Sequence, residues 1–133
     1  MSSTGSGTLS LTIESDTSVS YSLEFKNLEG TVLQSHIHLG QRGVNGGIMV
    51  WLCGTATNPG PVGTPSCVGP TSGTATRSIT AADIIGPAGQ GISAGEFAEF
   101  LRAVRTGNAY ANVHSTRNPG GEIRGQLRGD SDD

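Results

Sequence analysis

The run SVSYSLEFKNL, residues 18–28, decides the fold: Val19, Tyr21, Leu23 and Phe25 are apolar and polar residues stand between them. A period of two belongs to a strand with one buried face, because successive side chains point to opposite sides of a sheet. The same rhythm recurs on both sides of this run. TLSLTIES (8–15) buries Leu9, Leu11 and Ile13, and GIMVWLC (47–53) buries Ile48, Val50 and Leu52 while Met49, Trp51 and Cys53 face the other way. VLQSHIHLG (32–40) sets Leu33, Ile37 and Leu39 on one face and Gln34, His36 and His38 on the other. TATRSIT (74–80) is a weaker strand, and NAYANVHS (108–115) and GEIRGQL (121–127) read as two more, joined by the turn TRNPGG.

One segment carries a different period. In SAGEFAEFLRAVRTG (93–107), Phe97, Phe100, Leu101 and Val104 fall at i, i+3, i+4 and i+7, which predicts a short amphipathic helix. Ser93 with Glu96 makes a capping box and Gly107 a stop signal. The expected fold is therefore an all-β, antiparallel Greek-key β-sandwich with one short α-helix packed over an edge or end of the sheets. Residues 1–7 are expected to be a flexible N-terminal segment, 8–128 a single domain and 129–133 an acidic C-terminal tail.

Composition agrees with this. Of 133 residues, 21 are glycine and only 34% are hydrophobic, a mix suited to many turns and loops. A formal charge of −3 and scattered arginines argue against a nucleic-acid partner. No apolar run is long enough to span a bilayer, and the start MSSTGSGTLS has no signal-peptide pattern. Cys53 and Cys67 bracket GTATNPGPVGTPS, a loop without an apolar anchor. A disulfide closing it would stabilise the fold by roughly 3 kcal/mol, and such bonds persist mainly outside the cytosol. A secreted, periplasmic or extracellular location follows, with any signal removed.

The chain has three histidines, and all occupy outward strand positions. His36 and His38 project from one face of their strand, and His114 alternates with Val113 in another. If the two strands are neighbours, three imidazoles converge on one outer patch. Neutral imidazole suits copper or zinc and leaves a coordination position open. The plain alternative is that His36 and His38 are ordinary exposed residues and that His114 caps a turn. Around them, Trp51 either covers the sheet or stacks on an imidazole, and Met49 fills a gap. Asn112 is placed to orient a ligating ring through a hydrogen bond, with Tyr110 and Gln126 on the same rim. Arg124 either steers anions or pairs with Glu122 or a loop carboxylate. Glu122 reads as a hydrogen-bond acceptor at a turn or edge.

SHIHLGQRGVNGGIMVWLC (35–53) and GNAYANVHSTRNPGGEIRGQL (107–127) resemble the chordin-type (CHRD) domain, which carries an H-I-H segment and a closing NPxGEIRGQ signature. The order of H-x-H, V-H and a following arginine is more distantly similar to the copper–zinc superoxide dismutases. That likeness implies a superoxide-dismutase-like sandwich holding one copper ion per chain, Cu(I) or Cu(II), on His36, His38 and His114, with Arg124 as the catalytic cation beside the open position. It departs from the dismutases in lacking a fourth histidine and a zinc cluster, and in placing both cysteines in the central loop region. The activities implied are superoxide dismutation by a copper-only site, electron transfer or copper handling, and the partners are the metal and superoxide or another small oxidant or reductant. Copper binding is expected to weaken as pH falls through about 6. A blue-copper carrier would need a cysteine ligand, which the disulfide consumes. The competing reading is a non-catalytic extracellular interaction or structural module, the role that chordin-type domains of animal proteins imply.

Overall fold

The computed structural model describes residues 3–41 and 43–127. Seven strands and one helix follow in the order β1 (Ser6–Ser15), β2 (Ser18–Lys26), β3 (Val32–Leu39), β4 (Ile48–Cys53), β5 (Gly73–Ile79), α1 (Phe97–Arg105), β6 (Ala109–Ser115) and β7 (Ile123–Gln126). They form two antiparallel sheets, β1-β2-β5 and β4-β3-β6-β7. The expected sandwich is therefore present. The chain leaves β4 for the first sheet at β5, then returns through α1 to lay β6 beside β3, the long return of a Greek key. That return brings the two histidine-bearing strands into register.

Val19, Tyr21, Leu23 and Phe25 of β2 are all buried, as their alternation predicts, and Ile37, Val50 and Leu52 face them from the second sheet within one apolar core. Two polar ties cross between the sheets. Tyr21 donates its hydroxyl to the Leu52 carbonyl at 2.6 Å, and Arg77 on β5 donates to the Trp51 carbonyl at 2.6 Å while pairing with Asp83 at 3.2 Å. The Cys53–Cys67 disulfide closes the glycine- and proline-rich loop beside β4.

Several expectations need correction. Leu9, Leu11 and Ile13 are only half-buried, because β1 is an outer strand of its sheet, and a cleft of about 570 Å³ opens between its first residues, Leu9 included, and β7. Met49 is as inaccessible as Val50, so both faces of β4 are covered there. Leu33 and Leu39 are half-buried, and Ser35 takes a core position on the same face as Ile37, its hydroxyl donating to the Asn112 carbonyl at 2.6 Å. The helix starts at Phe97 rather than after Ser93. Glu96 accepts a hydrogen bond from the Ser93 N–H at 3.1 Å, but Gly95 at φ +85° turns the chain before the helix begins. Gly107, at φ +76°, ends it as expected.

The N-terminal residues are part of the fold. Ser6 and Gly7 already belong to β1, and Ser3 reaches Glu122. The proposed acidic tail, 129–133, lies outside the described residues. Glu122 is an acceptor, as read, and a deeply engaged one. Its two oxygens take the Ser3 hydroxyl, the Glu29 and Gly30 N–H groups and the Ser115 hydroxyl, tying the N-terminus, the β2–β3 link and the β6–β7 turn together. Burial opposes the charge, but the four donors outweigh it and hold the carboxyl at about 2, below its ordinary 4.5.

A depressed carboxyl stabilises the fold fully above its unfolded pKa, and that contribution is lost as pH falls from about 4.5 toward about 2. Glu122→Gln is expected to cost roughly 2–3 kcal/mol at pH 7 and to flatten that acid limb. Urea unfolding of both proteins from pH 7 to pH 2 checks this; parallel pH profiles would contradict it.

Candidate metal centre

β3 is the central element of the site. It pairs with β4 on one side and β6 on the other, so His36 stands opposite Trp51 and Asn112, His38 opposite Ile48 and Tyr110, and Gln34 opposite His114. In a regular strand, same-face neighbours lie ~7 Å apart. Here the β3–β4 register shifts between Ser35 and His36 and again between Ile37 and His38, and such irregularities re-aim side chains. The ring centroids lie 5.4 Å apart for His36 and His38, 5.0 Å for His36 and His114, and 6.3 Å for His38 and His114. One nitrogen from each ring falls within 4.8 Å of the others. The sequence-predicted trio is thus brought together across β3 and β6.

The rings sit on the face opposite Ile37, but they are not on the surface. His36 is 1% and His38 8% accessible, and His114 is half-buried with its Nε2 enclosed. Each ring uses one nitrogen on an oxygen acceptor: His36 Nε2 to Gln34 Oε1 at 2.9 Å, His38 Nδ1 to the Gly46 carbonyl at 2.9 Å, and His114 Nδ1 to the Pro119 carbonyl at 2.6 Å. These acceptors place the proton on that nitrogen and leave the other as a bare lone pair. The bare nitrogens, His36 Nδ1, His38 Nε2 and His114 Nε2, are all buried and have no partner among the described residues. A set of inward lone pairs whose outer nitrogens are pinned by oxygen atoms is the arrangement of a metal-ligating triad. His114 also caps the β6–β7 turn, so the plain reading of that residue and the ligand reading describe the same ring.

The walls are aromatic. Trp51 meets His36 edge-on at 4.3 Å, where stacking was one expectation. Gly60 of the disulfide-closed loop lies against the indole so closely that a β-carbon there would come within 2.7 Å of it. Tyr110 stacks on His38 at 4.8 Å and 5°. Arg124, arriving from the strand on the other side of β6, lays its guanidinium 3.5 Å above the Tyr110 ring. Its donors go to Asn45 Oδ1 and to the Gln41 and Val44 carbonyls, so it fastens the β3–β4 loop. The expected ion pair is absent among the described residues, and Glu122 is engaged elsewhere.

The surroundings favour the neutral form of His36 and His38. Burial, then the neighbouring His114 and His38, drive His36 down to about 3 from 6.5. Burial also lowers His38, against the Gly46 carbonyl and the Asn112 amide, which favour its charged form; His114 and Arg124 lower it further. Protonation of His36 therefore competes with a metal well below the pH of about 6 expected from an ordinary imidazole.

Asn112 was expected to orient an imidazole. No hydrogen bond closes between it and any histidine, and its buried Oδ1 has no partner among the described residues. The orienting acceptors are Gln34, Gly46 and Pro119. Gln34 had a signal, two residues before His36 on the same face. The other two act through backbone carbonyls, which side-chain identity does not announce. Gly46 is nevertheless a fixed choice: a β-carbon there would lie 1.4 Å from the Leu39 carbonyl oxygen.

The CHRD domain family matches residues 1–127 of the chain. No curated protein and no solved structure matches it.

In metal-free protein, the His36 ring proton signals are expected to hold their neutral positions from pH 7 down to about pH 4, because its pKa lies at about 3. A titration by two-dimensional NMR checks this, and a midpoint near 6.5 would contradict it. Gly46→Ala is expected to displace the carbonyl that holds His38 Nδ1 and to destabilise the fold by about 2 kcal/mol or more, read from thermal unfolding.

Proposed function

The chain belongs to the CHRD domain family, and from that premise we propose that it is an extracellular copper-binding domain with a three-imidazole site made by His36, His38 and His114. The observation that carries this reading is the convergence of three rings, one nitrogen of each within 4.8 Å of the others, each ring having a buried nitrogen without a partner among the described residues. A cation is the natural complement of three inward lone pairs. Copper is favoured because the donors are all imidazole nitrogen, copper stands highest among first-row divalent ions for such sites, and imidazole tolerates both of its oxidation states. The Cys53–Cys67 disulfide supports an oxidising compartment.

Three protein ligands leave a position for an exogenous molecule. A copper ion held by His36, His38 and His114 would supply one-electron exchange between its two oxidation states, the chemistry that dismutation of superoxide needs. The protein's own contribution is to hold three neutral rings at fixed spacing and to set Arg124 nearby. The guanidinium has no carboxylate partner among the described residues and is close enough to lower His38, so it favours an anion at the open position. Electron transfer and copper handling use the same site.

The second reading, a non-catalytic interaction module, draws support from the cleft between β1 and β7, lined by the half-buried Leu9, Ile123 and Leu127.

Calorimetric titration of the metal-free protein is expected to show uptake of one copper ion per chain, with nitrogen couplings in the electron paramagnetic resonance spectrum of the Cu(II) form. His36→Ala, His38→Ala and His114→Ala should each weaken binding more than about 100-fold, beyond what loss of an outer-shell partner costs. Absence of uptake by the wild type, or binding unchanged in all three variants, would leave the interaction module as the surviving account.

A further inference from the structure

Asn112 is more than nine-tenths buried, yet its Oδ1 has no hydrogen-bond donor among the described residues. Leaving a buried carbonyl oxygen bare costs roughly 1–3 kcal/mol, so its position asks for a ligand. The residue lies on β6 between Tyr110 and His114 on the same strand face, and stands opposite His36 on β3 and Arg124 on β7. It therefore occupies the floor of the triad. Its two ends face different surroundings. A β-carbon on Gly121 would lie 3.6 Å from Nδ2, which puts the amide nitrogen toward the β6–β7 turn. The oxygen is the end left to face the rings.

The site thus gathers four electron-pair donors, three nitrogens and one amide oxygen, none of which has a hydrogen-bond partner among the described residues. The nitrogens suit the ion. The oxygen is hard and neutral, and a molecule that carries protons complements it.

We infer that Asn112 Oδ1 holds, by accepting its hydrogen bond, the water that occupies the open position of a divalent ion on His36, His38 and His114. This rests on the three-histidine reading and deepens it. The consequence is selectivity between oxidation states. Cu(II) keeps a water ligand, whose protons are made more acidic and better donors by the ion. Cu(I) is satisfied by three imidazoles and carries no water for Asn112 to hold. Asn112 then favours the divalent state, and it is a positioning residue rather than a ligand.

The test measures Cu(II) affinity by competition with a chelator, and Cu(I) affinity by competition with a colorimetric Cu(I) chelator, for the whole chain and for Asn112→Leu and Asn112→Asp. Asn112→Leu, similar in size and without an acceptor, is expected to lose about 10-fold or more in Cu(II) affinity while Cu(I) affinity stays within about 2-fold. Retained Cu(I) binding is the check that this variant still folds. Asn112→Asp, which keeps an acceptor oxygen, is expected to hold Cu(II) at least as tightly as the wild type. The Cu(II) wild type should show an exchangeable proton coupling by electron–nuclear double resonance that deuterium oxide removes and Asn112→Leu lacks. Equal losses for both ions in Asn112→Leu, or none for either, would overturn the role of Asn112 and leave the triad standing. Failure of the wild type to take up copper would overturn both.

Discussion

An imidazole nitrogen buried with its lone pair unmet is costly, roughly 1–3 kcal/mol for each such group, and this fold buries three of them facing one another. A random surface cluster would not do this, because water would satisfy each ring separately. Here the outer nitrogen of every ring is committed to an oxygen acceptor, so none can turn to relieve the crowding. The arrangement leaves three buried acceptors without a donor among the described residues, which the proposed cation would satisfy. Much of the surrounding structure can be understood as keeping those lone pairs in place.

The restraints come from separate parts of the chain. Irregular β3–β4 pairing aims His36 and His38. The Greek-key return sets His114 across from Gln34, which in turn holds His36. Gly46 is held from two sides, by the Tyr110 hydroxyl on its N–H and by His38 on its carbonyl. Arg124 pins the rest of that loop and covers Tyr110. The disulfide-closed loop seats Gly60 on Trp51, which walls His36. Because the histidines, their supports and their walls are contributed by four strands and three loops, the site and the fold are stabilised together.

Electrostatics point the same way. Burial is the chief cause that lowers His36 and His38, and a proton on either would also be opposed by protonation of a neighbouring imidazole and, at His38, by Arg124. That environment keeps the rings neutral and competent as ligands, and it disfavours an added proton. The strongly held carboxylate, Glu122, joins Ser3 and the β2–β3 link to the β6–β7 turn, so it steadies the strand that carries Asn112 and His114.

The strands, the helix and the histidine trio were legible in the sequence because each is written in local pattern. A period of two identifies a strand, the i, i+3, i+4, i+7 spacing identifies α1, and H-x-H places two rings on one face whatever the neighbours are. The half-burial of Leu9, Leu11 and Ile13 was not legible, since alternation tells which face is apolar but not whether another sheet fully covers it. The same limit hid the enclosure of His36 and His38, and the burial of Met49. Tertiary structure alone decided that β6 lies beside β3, and hence that three separate rings share one centre. It alone decided that backbone oxygens at Gly46 and Pro119 fix two of those rings, and that Asn112 Oδ1 is buried without a donor among the described residues. The reason is that a backbone carbonyl is the same at every residue, so its use as an acceptor depends only on where folding brings it.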